Sequence, residues 1–285
     1  MGSEPANIHL GHRLESAGVS GLSRLLAALP ARARYRLAGR LGEWARFLDR
    51  RHARHARESL TLRYGREGVE DKVKGVFREL GHLTGEIPLL ERLSPEELEA
   101  RITRVEGREH IDHIAADSRG ALLLTVHMGN WELLGQVLPR FGIRPLHGIY
   151  RKLDNPLLEE RLRAARERHG IGAIRRERAS RRVLSALRAG ETVAMLIDQN
   201  TPSTDRVHLP FLGEMARVPT ALARFAQRGG SPILPAFLIR EGPERFRLVA
   251  HAPIEPGDFP GSEEGIRDLT AAAVAAMEAG IALAP

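Results

Sequence analysis

Residues 121–135 read ALLLTVHMGNWELLG, an apolar strand that runs directly into a histidine and then into a new helix. Ala121 to Val126 is short, unbroken and partly β-branched, the pattern of a strand covered on both faces of a parallel sheet. His127 is then the first residue out of the sheet. Gly129 permits a sharp turn, Asn130 is a good N-cap, and Trp131, Leu134, Val137 and Leu138 form the apolar face of a helix that ends near Gly142. Ligands of open α/β sheets bind outside the carboxyl ends of the strands. A histidine there, with Glu132 in the first helical turn behind it, has the parts of a general base that activates a hydroxyl or water. The same two residues also fit an ordinary satisfied polar pair, and the local pattern alone does not choose between these readings.

The second half of the chain repeats the device. In ETVAMLIDQ, residues 191–199, the apolar run Val193 to Ile197 delivers Asp198 at its carboxyl end. Two buried strands ending in polar groups point to one shared crevice. Further strands are expected near 101–106, 144–150, 171–175, 232–239 and 245–252, with helices between most of them and an Ala-rich helix from about Glu264. The pattern predicts an α/β fold, a mostly parallel sheet flanked by helices and preceded by an α-helical N-terminal region. The expected division is residues 1–100, helical and membrane-associating, and residues 101–285, the α/β domain.

The net charge of +7 is unevenly placed. Ala31 to Glu58 holds nine arginines against Glu43, Asp49 and Glu58, a local excess of six positive charges. Leu37, Leu41, Trp44, Phe47 and Leu48 recur through it at helical spacing, and Leu22, Leu25, Leu26 and Leu29 form a similar stripe before Pro30. Such a helix either lies on an anionic membrane surface or packs into a core with a solvated basic face. Asp71 to Pro88 carries another stripe, Val73, Val76, Phe77, Leu80, Leu83 and Ile87, most simply structural. No run approaches the ~20 apolar residues of a membrane span, and Met1 to Leu10 has no signal-peptide core.

With no cysteine, thiol catalysis and Cys-based metal sites are excluded. There is no P-loop, G-x-G-x-x-G, G-x-S-x-G or H-E-x-x-H motif, and the pairs His52/His55 and His110/His113 lack a third matching ligand, so no metal site is expected. A basic nucleic-acid-binding protein would interleave its cations with stacking aromatics. Aromatics are 5% here and no recognition motif appears, so no nucleic-acid partner is expected.

Several motifs fall in one order: HMGNWE at 127–132, YRKLDNPLL at 150–158, MLIDQN at 195–200, PFLG at 210–213 followed by a helix, and SPILPAFLIR at 231–240. With the Arg-rich LGEWARFLDRRHARHARESL and the VEGREH that precede them, they resemble the bacterial lysophospholipid acyltransferase superfamily, nearest its lipid A late acyltransferase branch of lauroyl and myristoyl transferases. The resemblance implies acyl transfer from acyl carrier protein or acyl-coenzyme A, without other cofactor, to a hydroxyl of a lipid A precursor or another membrane glycolipid. A phosphatidylinositol mannoside or other phospholipid is the alternative acceptor. It implies His127 as the base, with Glu132 orienting the imidazole, and backbone N–H groups around Gly129 to Trp131 as oxyanion donors. Arg151 is then assigned to a substrate oxygen, Asp198 to support of the site or the acceptor sugar, and Asn130 and Gln199 to substrate binding. Asn200 is weaker, and Pro210, Phe211 and Leu212 line the acyl-chain side or simply pack. The implied location is peripheral, on the cytoplasmic face of the inner membrane, against an anionic lipid surface.

Overall fold

A computed structural model describes residues 8–176, 179–199 and 204–284. The chain forms two compact units, residues 1–93 with 152–165, and residues 94–151 with 166–285.

The first unit is helical: α1 (Leu10–Ala28), α2 (Ala31–Leu48), α3 (Arg50–Tyr64) and α4 (Val69–Arg92). Helices α2 and α4 cross on small residues, Ala38, Gly39 and Gly42 against Gly81 and Gly85. A Cβ at Gly42 would lie 2.1 Å from the Phe77 carbonyl oxygen, and one at Gly81 would lie 2.2 Å from that of Ala38, so only glycine lets these backbones approach so closely. This crossing overturns the core-packed reading of the α2 stripe. The helix packs by its small-residue side, while Leu41, Trp44, Phe47 and Leu48 stay exposed. On α4 the expected stripe divides: Val73 and Phe77 enter a cluster with Ala53 of α3, whereas Val76 and Leu80 are exposed. Buried Glu86 accepts a hydrogen bond from the Tyr35 hydroxyl at 2.5 Å.

Residues 152–165 pack with these helices although they lie far along the chain, a return that a linear division at residue 100 does not express. The Asn155 amide donates to the His12 carbonyl at 2.9 Å and to Glu15 at 2.8 Å, while Arg161 donates to Ser20 at 2.8 Å and forks onto Glu91.

In the second unit, α5 (Pro95–Glu99) starts with a capping box formed by Ser94 and Glu97. There follow β1 (Ile102–Glu106), α6 (Arg108–Ala116), β2 (Ala121–Thr125), α7 (Trp131–Val137), β3 (Leu146–Tyr150), α8 (Pro156–Arg168, shared with the first unit), β4 (Ile171–Arg175), α9 (Ala179–Arg188) and β5 (Thr192–Leu196). The chain closes with β6 (Arg206–Phe211), β7 (Glu214–Pro219), α10 (Ala221–Gly229), β8 (Ile233–Gly242), β9 (Arg245–Ala250) and α11 (Glu263–Ile281). Seven strands form one sheet in the order β1-β9-β8-β2-β5-β3-β4. Strands β8, β2, β5, β3 and β4 run parallel, and only the β8–β9 pair is antiparallel. Every residue of β2 is buried, as its uninterrupted apolar sequence requires of a central strand. Leu122, Leu124 and Val193 share a core with Leu222 and Ala226 of α10 and Leu269 and Ala273 of α11.

The pair β6–β7 forms a separate antiparallel hairpin where sequence suggested only the PFLG motif. Its turn is Leu212 and Gly213, both at positive φ, and the Leu212 N–H donates to Glu278 at 2.5 Å. Leu209 lies in the core and Phe211 packs against it.

Candidate active site

Register builds the site. Strands β2 and β5 pair with Thr125 opposite Leu196, so two residues further on each chain leaves the sheet with His127 beside Asp198. One carboxylate grips the histidine twice. Asp198 Oδ2 accepts the His127 backbone N–H at 2.8 Å, and Oδ1 lies 2.8 Å from the imidazole Nδ1. The His127 side chain is 34% exposed and that of Asp198 14%, so the ring is accessible while its anchor is mostly enclosed. The Trp131 ring stands edge-on to the imidazole at 4.9 Å.

Gly129 makes the turn at φ +59, and a Cβ there would lie 2.1 Å from the Leu238 carbonyl oxygen of β8. The position therefore needs glycine both for conformation and for space. Asn130 is fully buried, and its side-chain oxygen accepts the Leu133 N–H at 2.9 Å as the N-cap of α7.

Glu132 does not take the place expected of it. The imidazole Nδ1 belongs to Asp198, and the Glu132 carboxylate is held by Arg166, at 2.6 Å from Nη2 and 3.1 Å from Nε. A two-pronged guanidinium–carboxylate pair is a stronger geometric match than a single imidazole contact, and Arg166 in the last turn of α8 offers it. The same guanidinium lies 5.4 Å from the centre of the Tyr150 ring. Sequence reading missed Arg166 because it stands in an Arg- and Glu-rich helix with no strand or turn to single it out.

Arg151 follows β3 and is exposed, on the same carboxyl edge of the sheet as His127 and Asp198, and Gln199 is exposed next to Asp198. Asn200 lies outside the described residues. Among the described residues, no group of three His, Asp or Glu side chains is arranged to hold a metal ion, and no helix is long and apolar enough to cross a membrane.

A histidine fixed by a carboxylate at the carboxyl edge of a parallel α/β sheet is the equipment of an enzyme that activates a hydroxyl. The family is fixed by comparison with known proteins. The chain belongs to the bacterial lipid A biosynthesis acyltransferases, whose family model matches residues 2–285, and it is an O-acyltransferase that uses an acyl donor and a lipid acceptor. It is 29% identical over 245 residues to the lipid A biosynthesis lauroyltransferase of Escherichia coli, covering 84% of this chain and 78% of that one. It is 26% identical over 219 residues to the lipid A biosynthesis acyltransferase of Haemophilus influenzae, covering 75% and 67%. A phosphatidylinositol mannoside acyltransferase of Mycobacterium tuberculosis is 27% identical over 209 residues, covering 70% and 64%.

Proposed function

We propose that the protein moves a fatty acyl chain from an acyl thioester, carried by acyl carrier protein or coenzyme A, to a hydroxyl of a membrane glycolipid, with His127 as general base. The observation that carries this reading is the double hold of Asp198 on His127, which fixes the imidazole and reserves Nδ1 for the carboxylate. Nε2 is then the atom that receives the proton of the acceptor hydroxyl. As the hydroxyl oxygen attacks the thioester carbonyl, the C–O bond forms and charge collects on the carbonyl oxygen. Backbone N–H groups around Gly129 to Trp131 are the donors for that oxyanion. When the C–S bond breaks, the imidazolium returns its proton to the leaving thiolate. Asp198 stays ionised and stabilises the imidazolium, the part an aspartate plays in a Ser-His-Asp triad, with the acceptor hydroxyl in place of the serine. No acyl-enzyme is needed.

Glu132 and Arg166 serve by holding the first turn of α7 to the end of α8, and Arg151 takes a phosphate or carbonyl oxygen of a substrate. Similarity to lipid A enzymes favours a lipid A precursor as acceptor, and similarity to the mycobacterial enzyme supports a phosphatidylinositol mannoside or other phospholipid as the second choice. The reaction belongs on the cytoplasmic face of the inner membrane, where a soluble thioester and a bilayer-held acceptor meet, with the enzyme attached peripherally. Incubation of purified protein with acyl carrier protein or coenzyme A thioesters and extracted lipid, read by mass spectrometry, tests donor and acceptor together. An acyl mass increment on a glycolipid is expected, and free fatty acid alone would show a hydrolase instead.

A further inference from the structure

We propose that the exposed arginines at the junction of β4 and α9, Arg175, Arg176, Arg181 and Arg182, bind the phosphate at the far end of the acyl donor's phosphopantetheine arm. The inference rests on the thioester reading above and adds where that donor is held. In sequence, Arg175 to Arg182 reads RRERASRR, five arginines against Glu177. Register puts this segment on the edge of the sheet that carries the catalytic pair: Arg175 closes β4 opposite Tyr150 of β3, and α9 starts from the same carboxyl end. Other arginines of the sheet-bearing unit are neutralised in place, Arg119 by Asp117 and Glu255, and Arg224 by Asp205 and Glu263. Among the described residues, no carboxylate pairs with Arg175, Arg176, Arg181 or Arg182, and all four side chains are exposed.

Helix electrostatics and distance choose the ligand. Arg181 and Arg182 stand in the first turn of α9, which holds no acidic residue. Cations at the positive end of a helix cost stability, so their placement answers to an anion from outside rather than to the fold. In the strand order β2-β5-β3-β4, three strand spacings, about 14 Å, separate the end of β2, where His127 stands, from the end of β4. A phosphopantetheine arm spans about 15 Å from sulfur to phosphorus at the bond lengths of an extended amide chain. A thioester placed at His127 therefore lays its arm along the carboxyl edge of the sheet and brings its phosphate among these arginines, whose forked guanidinium groups match phosphate oxygens. Coenzyme A and acyl carrier protein share this arm and its phosphate, and the site reads the part they share.

The test is calorimetric binding of two stable thioether analogues, acyl-phosphopantetheine and the same molecule without its phosphate, to the full-length protein. Wild type should bind the phosphorylated analogue about tenfold or more tighter, and Arg175→Gln/Arg176→Gln and Arg181→Gln/Arg182→Gln should each lose most of that margin. Unchanged affinity for the unphosphorylated analogue shows that each variant is folded. In transfer assays, both variants should raise the donor KM by about tenfold and leave the acceptor KM where it is. A wild type indifferent to the phosphate, or variants that keep the full margin, would overturn the proposal, and a rise in the acceptor KM alone would overturn it by assigning the arginines to an anionic acceptor. Acyl-coenzyme A and the acylated carrier protein separate the two sources: the one that binds tighter than the bare arm, and loses that gain in Arg181→Gln/Arg182→Gln, is the donor. Failure of the catalytic reading looks different, as phosphate-dependent binding by a wild type that transfers nothing, since this binding does not depend on His127 chemistry.

Discussion

His127 and Asp198 meet because two paired strands end in register, and each residue was legible as the polar terminus of an apolar run. What sequence could not supply was the pairing itself: nothing in ALLLTV or VAMLI says that these strands are neighbours, and Glu132, closer in the chain, was the natural partner to expect. Arg166 takes that carboxylate from 34 residues away. We therefore expect Asp198→Asn to lower acyl transfer by roughly 10²- to 10⁴-fold with an unchanged circular dichroism spectrum, since the amide no longer stabilises the imidazolium. An Asp198→Asn enzyme with normal turnover would remove Asp198 from the mechanism. A second residue-scale expectation concerns His169, buried at the end of α8 with neither ring nitrogen hydrogen-bonded. Burial, helped by the Arg168 charge, lowers its pKa from the ordinary 6.5, so the folded state keeps it neutral while the unfolded chain takes up a proton. Stability should be intact above about 6.5 and fall as pH drops below it. His169→Leu should flatten that part of the Tm–pH curve, and a parallel decline in both proteins would show that other groups set it.

At the scale of elements, the seven strands of the main sheet were visible as apolar, β-branched runs, whereas the hairpin β6–β7 was not. Its strands carry Arg206, His208, Glu214 and Arg217 among their apolar residues, and Leu212-Gly213 lacks the Asn-Gly or Asp-Gly that marks a tight hairpin. The orientation of α2 was equally hidden, because a stripe of large apolar residues normally points inward and glycine rarely signals a packing face. The crossing makes a sharp expectation. Gly81→Ala puts a methyl against the Ala38 carbonyl and should destabilise the protein by about 1–3 kcal/mol, whereas Gly18→Ala in α1, with nothing within 4 Å, should be neutral or slightly stabilising. Thermal melts of the two variants decide it, and equal Tm values would deny the close approach. Gly129→Ala, with as close a backbone contact and a positive φ besides, should destabilise the protein at least as much as Gly81→Ala and, by carrying His127 with the shifted turn, should lose transfer activity as well, as melts and transfer assays of the variant would show.

For the whole molecule, charge and chemistry separate: the arginine excess lies in the helical unit and the His127–Asp198 pair in the sheet-bearing unit. Composition showed the basic segment and the apolar periodicity, but only three-dimensional packing distinguishes a stripe that fills a core from one that is left outside. The return of residues 152–165 to the helical unit was illegible for a related reason, since Asn155 and Arg161 find partners more than 60 residues away. The central claim is that His127 drives acyl transfer to a lipid hydroxyl. Its most direct measurement is acyl transfer from a labelled thioester to extracted lipid by wild type and by a folded His127→Ala variant, with the product identified by mass spectrometry. Wild type should yield an ester-linked acyl increment on a glycolipid, and His127→Ala should be slower by roughly 10²- to 10⁴-fold. Equal rates from the two proteins would contradict the claim.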